Sequence, residues 1–232
     1  MYDFEPELRG KIQVVPNGLP VEFEGMSKSL PEVGEPVNIL YLSNLIESKG
    51  IFDLLAAIQQ LKYQYKVPVS AVFAGEFLAS SDDQIISSAE DAKLRFFDLL
   101  LEYKIEDCVK YVGQVSGDAK WKLLEECHFF VLPTNYVNEG QPVSIIEAMA
   151  YGCPVISTSF RAIPDLVIHG ESGLLVKYGY VEELSSGIFS LVNNPVRYQN
   201  MSCAAMRRYQ SNFTMQAHLD RILPLLLTPN FE

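Results

Sequence analysis

One stretch constrains this chain more than any other, the run Pro142-Val143-Ser144-Ile145-Ile146-Glu147-Ala148-Met149-Ala150-Tyr151-Gly152. Pro142 suits a first helical position, Val143 to Ala150 holds no breaker, and Gly152 supplies a left-handed turn after the last helical residue. Cys153 to Ser157 then reads as a strand. A helix that is apolar nearly all round and feeds an apolar strand belongs inside a layered α/β domain.

That helix nevertheless carries one carboxylate, Glu147, and a buried charge needs a partner. Ser144, Glu147 and Tyr151 follow at three- and four-residue spacing, so they form a polar stripe that faces a cleft. A second carboxylate, Glu139, lies just ahead of the helix. There Gly140 permits close backbone approach, and the amides of Val143, Ser144 and Ile145 have no intrahelical partners. Free amides at the positive end of a helix dipole suit a phosphate or diphosphate. Spacing alone fits equally well a capping or solvated acid at Glu139 and a structural ion pair at Glu147.

The rest of the chain alternates strands with helices. Segments 37–42, 69–74, 108–113, 128–133, 154–157 and 173–176 have the length and apolar content of buried strands. Segments 50–65, 82–103 (frayed near its start), 117–126, 181–192, 196–209 and 214–227 read as helices. Such alternation gives an α/β, doubly wound parallel sheet. Ile12 to Val15 reads as one more short strand, turned by Pro16-Asn17-Gly18, and 20–36 as a loop. Ligands of these sheets sit beyond the carboxyl ends of strands, which singles out Ser43 to Gly50. Lys49 stands there at a helix start, a poor place for a cation unless a ligand anion offsets the dipole. Trp121 reads as core and His128 as structural.

The length of 232 residues allows one sizeable domain. A net charge of −11 opposes nucleic acid and acidic membrane surfaces as partners, so an anionic ligand must be held by local positive groups. Cys108, Cys127, Cys153 and Cys203 lack metal-ligand spacing and read as buried free thiols. No apolar run reaches the length of a membrane span, and the start lacks the regions of a signal peptide; a cytoplasmic location is the expectation. No Gly-x-Gly-x-x-Gly follows a strand and no Walker loop is present, which argues against a dinucleotide oxidoreductase and a phosphate-loop enzyme. No Asp-x-Asp pair is there to carry a divalent ion to a diphosphate, so no metal is expected.

Glu139 and Glu147, seven residues intervening and followed by Ala-Met-Ala-Tyr-Gly-Cys-Pro-Val-Ile-Ser-Thr, resemble the donor-site signature of the retaining glycosyltransferases of family 4. Val15-Pro16-Asn17-Gly18, the block from Leu42 to Gly50, Ile163 to Val167, and Gly170 to Val176 stand in that family's order. The resemblance implies the Rossmann-like C-terminal half of a GT-B fold. Residues 1–10 would be an interdomain linker remnant and 11–232 the nucleotide-sugar-binding domain. Helix 214–227 would pack toward an N-terminal acceptor-binding domain, either lost from this chain or carried by a separate one.

The same resemblance implies retaining, metal-independent transfer from a nucleotide-diphosphate sugar, UDP- or GDP-linked, with no other cofactor. Glu139 would be the catalytic-site acid, positioning the donor sugar near its reacting carbon. Glu147 would hold the ribose hydroxyls, and Val115, within Gln114 to Ser116, would touch the base through its backbone. Lys49 and the amides of Val143, Ser144 and Ile145 would hold the diphosphate, with Gly140, Gln141 and Pro142 lining the donor site. Asn44 stands where the family has an arginine; it donates one hydrogen bond but brings no charge. Phe160 and Arg161 replace a frequent Gly-Gly pair, and Asn17 and Gly18 would lie near the interdomain cleft. The isolated chain would bind its donor but transfer poorly or not at all, and any attachment to the inner membrane would come through the other half. The alternative from another class is a non-catalytic nucleotide- or sugar-binding module, which needs Glu147 and Lys49 but not Glu139. An epimerase with the same two-domain plan fits the order of the blocks less well.

Overall fold

A computed structural model describes residues 12–20 and 27–227. Six strands form one all-parallel sheet: β1 (Val37–Leu42), β2 (Val69–Ala74), β3 (Val109–Gly113), β4 (Phe129–Leu132), β5 (Val155–Thr158) and β6 (Gly173–Val176), in the order β3-β2-β1-β4-β5-β6. The expected doubly wound α/β sheet is the observed fold. Parallel sheets are covered on both faces, so their strands read as apolar runs. The central strands do so, with Tyr41, Phe73, Phe129 and Phe130 among the largest fully buried side chains. Register runs unbroken from Val37↔Val69 to Leu42↔Ala74, and β1 meets β4 through Ile39↔Phe129 and Leu40↔Phe130.

Eight α-helices are seen among the described residues: α1 (Ile51–Tyr63), α2 (Ala89–Tyr103), α3 (Gly117–Glu126), α4 (Val143–Ala150), α5 (Ile163–Leu166), α6 (Val181–Val192), α7 (Pro195–Asn212) and α8 (Met215–Leu227). Helix α1 packs against α2 and α6, and α4 packs against α7, β4 and β5. Right-handed crossovers in this strand order place the two groups on opposite faces.

Several local expectations change. Ile12 to Val15 forms no strand: the amide of Asn17 goes to Gln141, that of Leu19 goes to Phe213, and the segment's one sheet-like contact is the isolated bridge Leu19↔Thr214. A strand needs a neighbour, and Ile12 and Val14 stay exposed without one. Helix α2 begins at Ala89 and not near Asp82, because the Glu47 carboxylate takes the amides of Gln84, Ile85 and Ile86 at 3.2, 2.9 and 2.9 Å. Ser88 then caps it through the amide of Asp91. Pro142 is the N-cap of α4, with ψ 109°, so the helix starts one residue later than its proline suggests; Gly152 takes the expected left-handed conformation at φ 67°. Neither the 3-10 turn Glu47–Lys49 nor the short α5 is foreseen from the sequence. Only Cys127 and Cys153 are fully buried, with sulfurs 3.0 Å apart, while Cys108 and Cys203 are partly accessible. The linker expected at 1–10 and part of the loop at 20–36 lie outside the described residues.

Candidate active site at the switch point of the sheet

The strand order makes β1 and β4 neighbours whose onward connections run in opposite directions, which opens a crevice between the loops that follow them. The loop after β1 ends in the 3-10 turn Glu47–Lys49, closed by Gly50 at φ 76°. From it Lys49 reaches across: its Nζ lies 3.4 Å from Glu139 Oε2 and donates to Ser43 Oγ at 3.1 Å. The ammonium also sits 4.9 Å from the centre of the Tyr136 ring. The same Glu139 oxygen accepts from Thr134 Oγ1 at 3.1 Å, and the acid is only 8 % exposed. In so dry a setting, removing one partner of such a pair costs about 3–5 kcal/mol.

Beneath the loop, the fully buried Tyr41 donates its hydroxyl to the carbonyl of Asn44 at 2.9 Å. Burial, and then the negative charge of Glu139, push its phenol well above the ordinary value, with a bond to Ser43 pulling the other way. Both effects keep it a neutral donor, so the loop carbonyl stays satisfied.

Glu147 is the other buried acid, 7 % exposed, and its Oε1 accepts from Lys120 Nζ at 2.6 Å. Lys120 projects from the first turn of α3 and lies 4.0 Å from the ring centre of Trp121, which stacks on Tyr151 at 6.3 Å and 15°. Trp121 is half-buried and packs against the core, as expected from the sequence, and its ring also carries the Lys120 ammonium. Ser144 and Tyr151, the rest of the polar stripe, are half-buried.

No side chain caps α4. The amide of Ile145 is used, donating to the Pro142 carbonyl at 3.1 Å, which corrects the expectation of three free amides. Those of Val143 and Ser144 keep the positions that lack intrahelical partners. Val143 is 43 % exposed, so this helix end opens to solvent. A side chain at Gly140 would meet nothing within 4 Å, so the space beside it is free. Gln141 Oε1 accepts from the amide of Asn17 at 2.7 Å, and Gly18 packs so closely on the start of α8 that a Cβ would lie 2.5 Å from the Thr214 carbonyl.

The structure thus joins Lys49 to Glu139 and Asn17 to Gln141. It leaves Asn44 exposed, its side chain making no hydrogen bond among the described residues, and Val115 half-buried against the core at the exit of β3. Where Gly-Gly was the resemblance's pattern, Arg161 adopts a left-handed φ of 50° and donates to the Val137 carbonyl at 2.7 Å. A residue with a side chain adopts that conformation at a cost of about 1–2 kcal/mol. Here it ties the β5 loop to the loop that ends in Glu139. These loops wall a cavity of about 440 Å³ lined by Ser48, Asp82, Asn135, Phe160, Arg161 and Tyr178, and the buried hydroxyl of Ser48 has no partner among the described residues. Burial, and then the charges of Asp53, Glu47, Asp83 and Asp82, push the Tyr178 hydroxyl up to about 12.

Sequence reasoning missed Lys120, Thr134, Ser43 and Tyr136. One signal for Lys120 was available: it is a cation in the first turn of a helix, the same misplacement that singles out Lys49. Among the described residues, no group of three or more His, Cys, Asp or Glu gathers as a metal site, and no helix is long and apolar enough to cross a membrane.

Fold and site together define a Rossmann-type α/β domain with an ion-paired polar site at the switch point of its sheet. Residues 22–208 match the family described as glycosyl transferases group 1, and the chain belongs to that family. It is 26% identical over 196 residues to the amylovoran biosynthesis glycosyltransferase AmsK of Erwinia amylovora, covering 83% of this chain and 45% of that protein. Anabaena HepE, crystallised with UDP and glucose, superposes with a TM-score of 0.71 at 21% identity, over 83% of this chain and 48% of that one. The C-terminal domain of a group 1 glycosyl transferase, LpcC of Francisella tularensis, superposes with a TM-score of 0.65 at 18% identity, over 78% of this chain and 87% of that domain. The sheet is that of the GT-B glycosyltransferases. The chain spans about half the length of the curated relatives it matches.

Proposed function

We propose that this domain is the donor-binding, C-terminal half of a retaining glycosyltransferase of family 4, which takes a nucleotide-diphosphate sugar without a metal ion. The observation that carries this reading is the buried Lys49–Glu139 pair, held at 3.4 Å in the crevice between β1 and β4. Lys49 brings a positive charge to the crevice and α4 has an uncapped N-terminus, and both suit a diphosphate in a chain of net charge −11. As the bond from sugar to diphosphate breaks, Lys49 and the amides of Val143 and Ser144 stabilise the charge that grows on the leaving group. Glu139 orients the donor sugar, Glu147 reads the ribose, and the backbone at Val115 meets the base. Asn17 and Gly18 form the rim toward the acceptor half, against which α8 packs. The superposition of this chain on 87% of LpcC's C-terminal domain supports this division of the chain. We place the reaction in the cytoplasm.

One observation favours the alternative of a non-catalytic binding module: Asn44 leaves the site with one charge fewer than the family pattern has. Calorimetric titration of this chain with UDP, GDP and ADP tests the donor reading, with Glu147→Ala as the control. One nucleoside diphosphate binds, and the substitution abolishes binding. Binding of none, or binding that ignores Glu147, refutes it. In the complete two-domain protein, Glu139→Gln retains nucleotide binding and loses turnover; unchanged turnover assigns the site to binding alone.

A further inference from the structure

Each of the two buried acids of the site is matched by a lysine from a different element: Lys49 from the β1 loop meets Glu139, and Lys120 from α3 meets Glu147. The second pair is the tighter, at 2.6 Å, with side chains 21% and 10% exposed. Lys120 is fixed from two directions, by the carboxylate and by the face of Trp121 at 4.0 Å. An ammonium held over an aromatic face while bonding a carboxylate loses little further freedom when a ligand arrives.

The pairing engages one oxygen of Glu147 only. Oε1 accepts from Lys120, and among the described residues Oε2 accepts from nothing. A carboxylate has lone pairs to spare on its second oxygen, which suits it to accept from a neighbouring pair of hydroxyls. Lys120, itself held over Trp121, thus sets the aim of the carboxylate.

The geometry points to Lys120 as the positioning residue for ribose recognition: it anchors Glu147 through Oε1 and turns Oε2 to the sugar hydroxyls of the nucleotide. The inference rests on the donor-site reading above and deepens it, assigning to α3 a part in telling a ribonucleotide from its 2′-deoxy form. Lys120 acts through Glu147, not on the phosphates.

The test is titration of the chain with UDP, GDP and ADP and with their 2′-deoxy counterparts, in wild type, K120Q, K120R, E147A and K120Q/E147A, with thermal unfolding of each as the folding control. The wild type prefers the ribonucleotide by about 10-fold or more, the worth of one hydrogen bond to a charged acceptor. K120Q reduces that preference to about 3-fold or less, K120R restores most of it, and K120Q adds nothing in the E147A background, since residues that act as a unit are not additive. Should K120Q not fold, K120M keeps the aliphatic stem over Trp121 and takes its place. Preference retained without the lysine overturns the inference. Equal weakening of both nucleotide forms overturns it too, because that marks a cation acting directly on phosphate. A wild type that binds no nucleoside diphosphate at all removes the donor-site reading and this inference with it.

Discussion

Gly50 is where the fold and the site can be pulled apart experimentally. It closes the turn that presents Lys49, its φ is 76°, and a Cβ built on it would lie 2.3 Å from the carbonyl oxygen of Pro133. Pro133 directly follows β4 and precedes Thr134, the donor to Glu139. Gly50→Ala therefore incurs two costs. The left-handed conformation costs a residue with a side chain about 1–2 kcal/mol, and the clash with a backbone oxygen, which cannot swing away, adds about 1–3 kcal/mol of strain. Gly170→Ala isolates the first, because Gly170 has φ 80° and nothing lies within 4 Å of the position its new methyl group would take. For a domain of this size each kcal/mol shifts the melting temperature by about 2–4 °C, so Gly170→Ala should lower it by about 4 °C and Gly50→Ala by about 10 °C. The assay is thermal unfolding followed by circular dichroism, with nucleoside diphosphate titration of the same samples. Relief of the clash pushes the Lys49 turn away from the Pro133–Thr134 segment, so Gly50→Ala also weakens binding by about 10-fold or more while Gly170→Ala leaves it unchanged. Equal melting shifts for the two variants would refute the reasoning, since the contact between the β1 and β4 loops would then carry no energy.

Two further outcomes follow from named residues. Asn44→Arg adds a cation at an exposed position of the β1 loop, and we expect nucleoside diphosphate affinity to rise by about 2- to 10-fold with a steeper dependence on salt; titration at two ionic strengths checks this, and unchanged affinity at both removes Asn44 from the site. His128 has its pKa lowered by burial and then by the charge of Lys28, and its Nδ1 accepts from the amide of Asn38 at 2.8 Å, which requires the neutral ring. Its contribution is therefore present in full above the ordinary value of 6.5 and is lost as pH falls below it, when the unfolded chain takes up a proton that the folded one resists. Urea midpoints should fall between about pH 7.5 and about pH 5, and fall less in His128→Asn, which keeps an acceptor without the titration; identical slopes would contradict this assignment.

The strands were legible because an all-parallel sheet is buried on both faces: 37–42, 69–74 and 173–176 are bounded by the sequence as the structure bounds them. Helix α4 was equally plain, since nothing but a buried helix explains its apolar run and terminal glycine. What escaped depends on partners remote in sequence. The start of α2 is set by Glu47, 39 residues before the last amide it takes, and no local propensity records that. Ile12 to Val15 has the composition of a strand and no strand to pair with. The residues of the candidate site divide the same way. Glu139, Lys49 and Glu147 could be named from their motifs and from the family resemblance, but the pairing of Glu147 with Lys120 spans 27 residues and two helices and becomes visible only in three dimensions. Arg161 shows the limit from the other side, because a side chain stands in a backbone conformation that sequence alone would reserve for glycine.

The neighbour relation of β1 and β4 also sets an order of assembly. The backbone and side-chain bonds that join them at their feet link Asn38 to His128, 90 residues apart in the chain. Strands β1, β2 and β3 are consecutive and need only their own crossovers to pair, whereas the joint between β1 and β4 must close a loop that contains two strands and three helices. Until it closes, β1 presents a bare edge and Lys49 has no Glu139 to meet. The crevice is thus made by a long-range contact, of the kind that slows folding. A ligand lodged there would grip both sides of that seam, so its main kinetic effect would be to delay the opening of the finished domain, with little help to its formation.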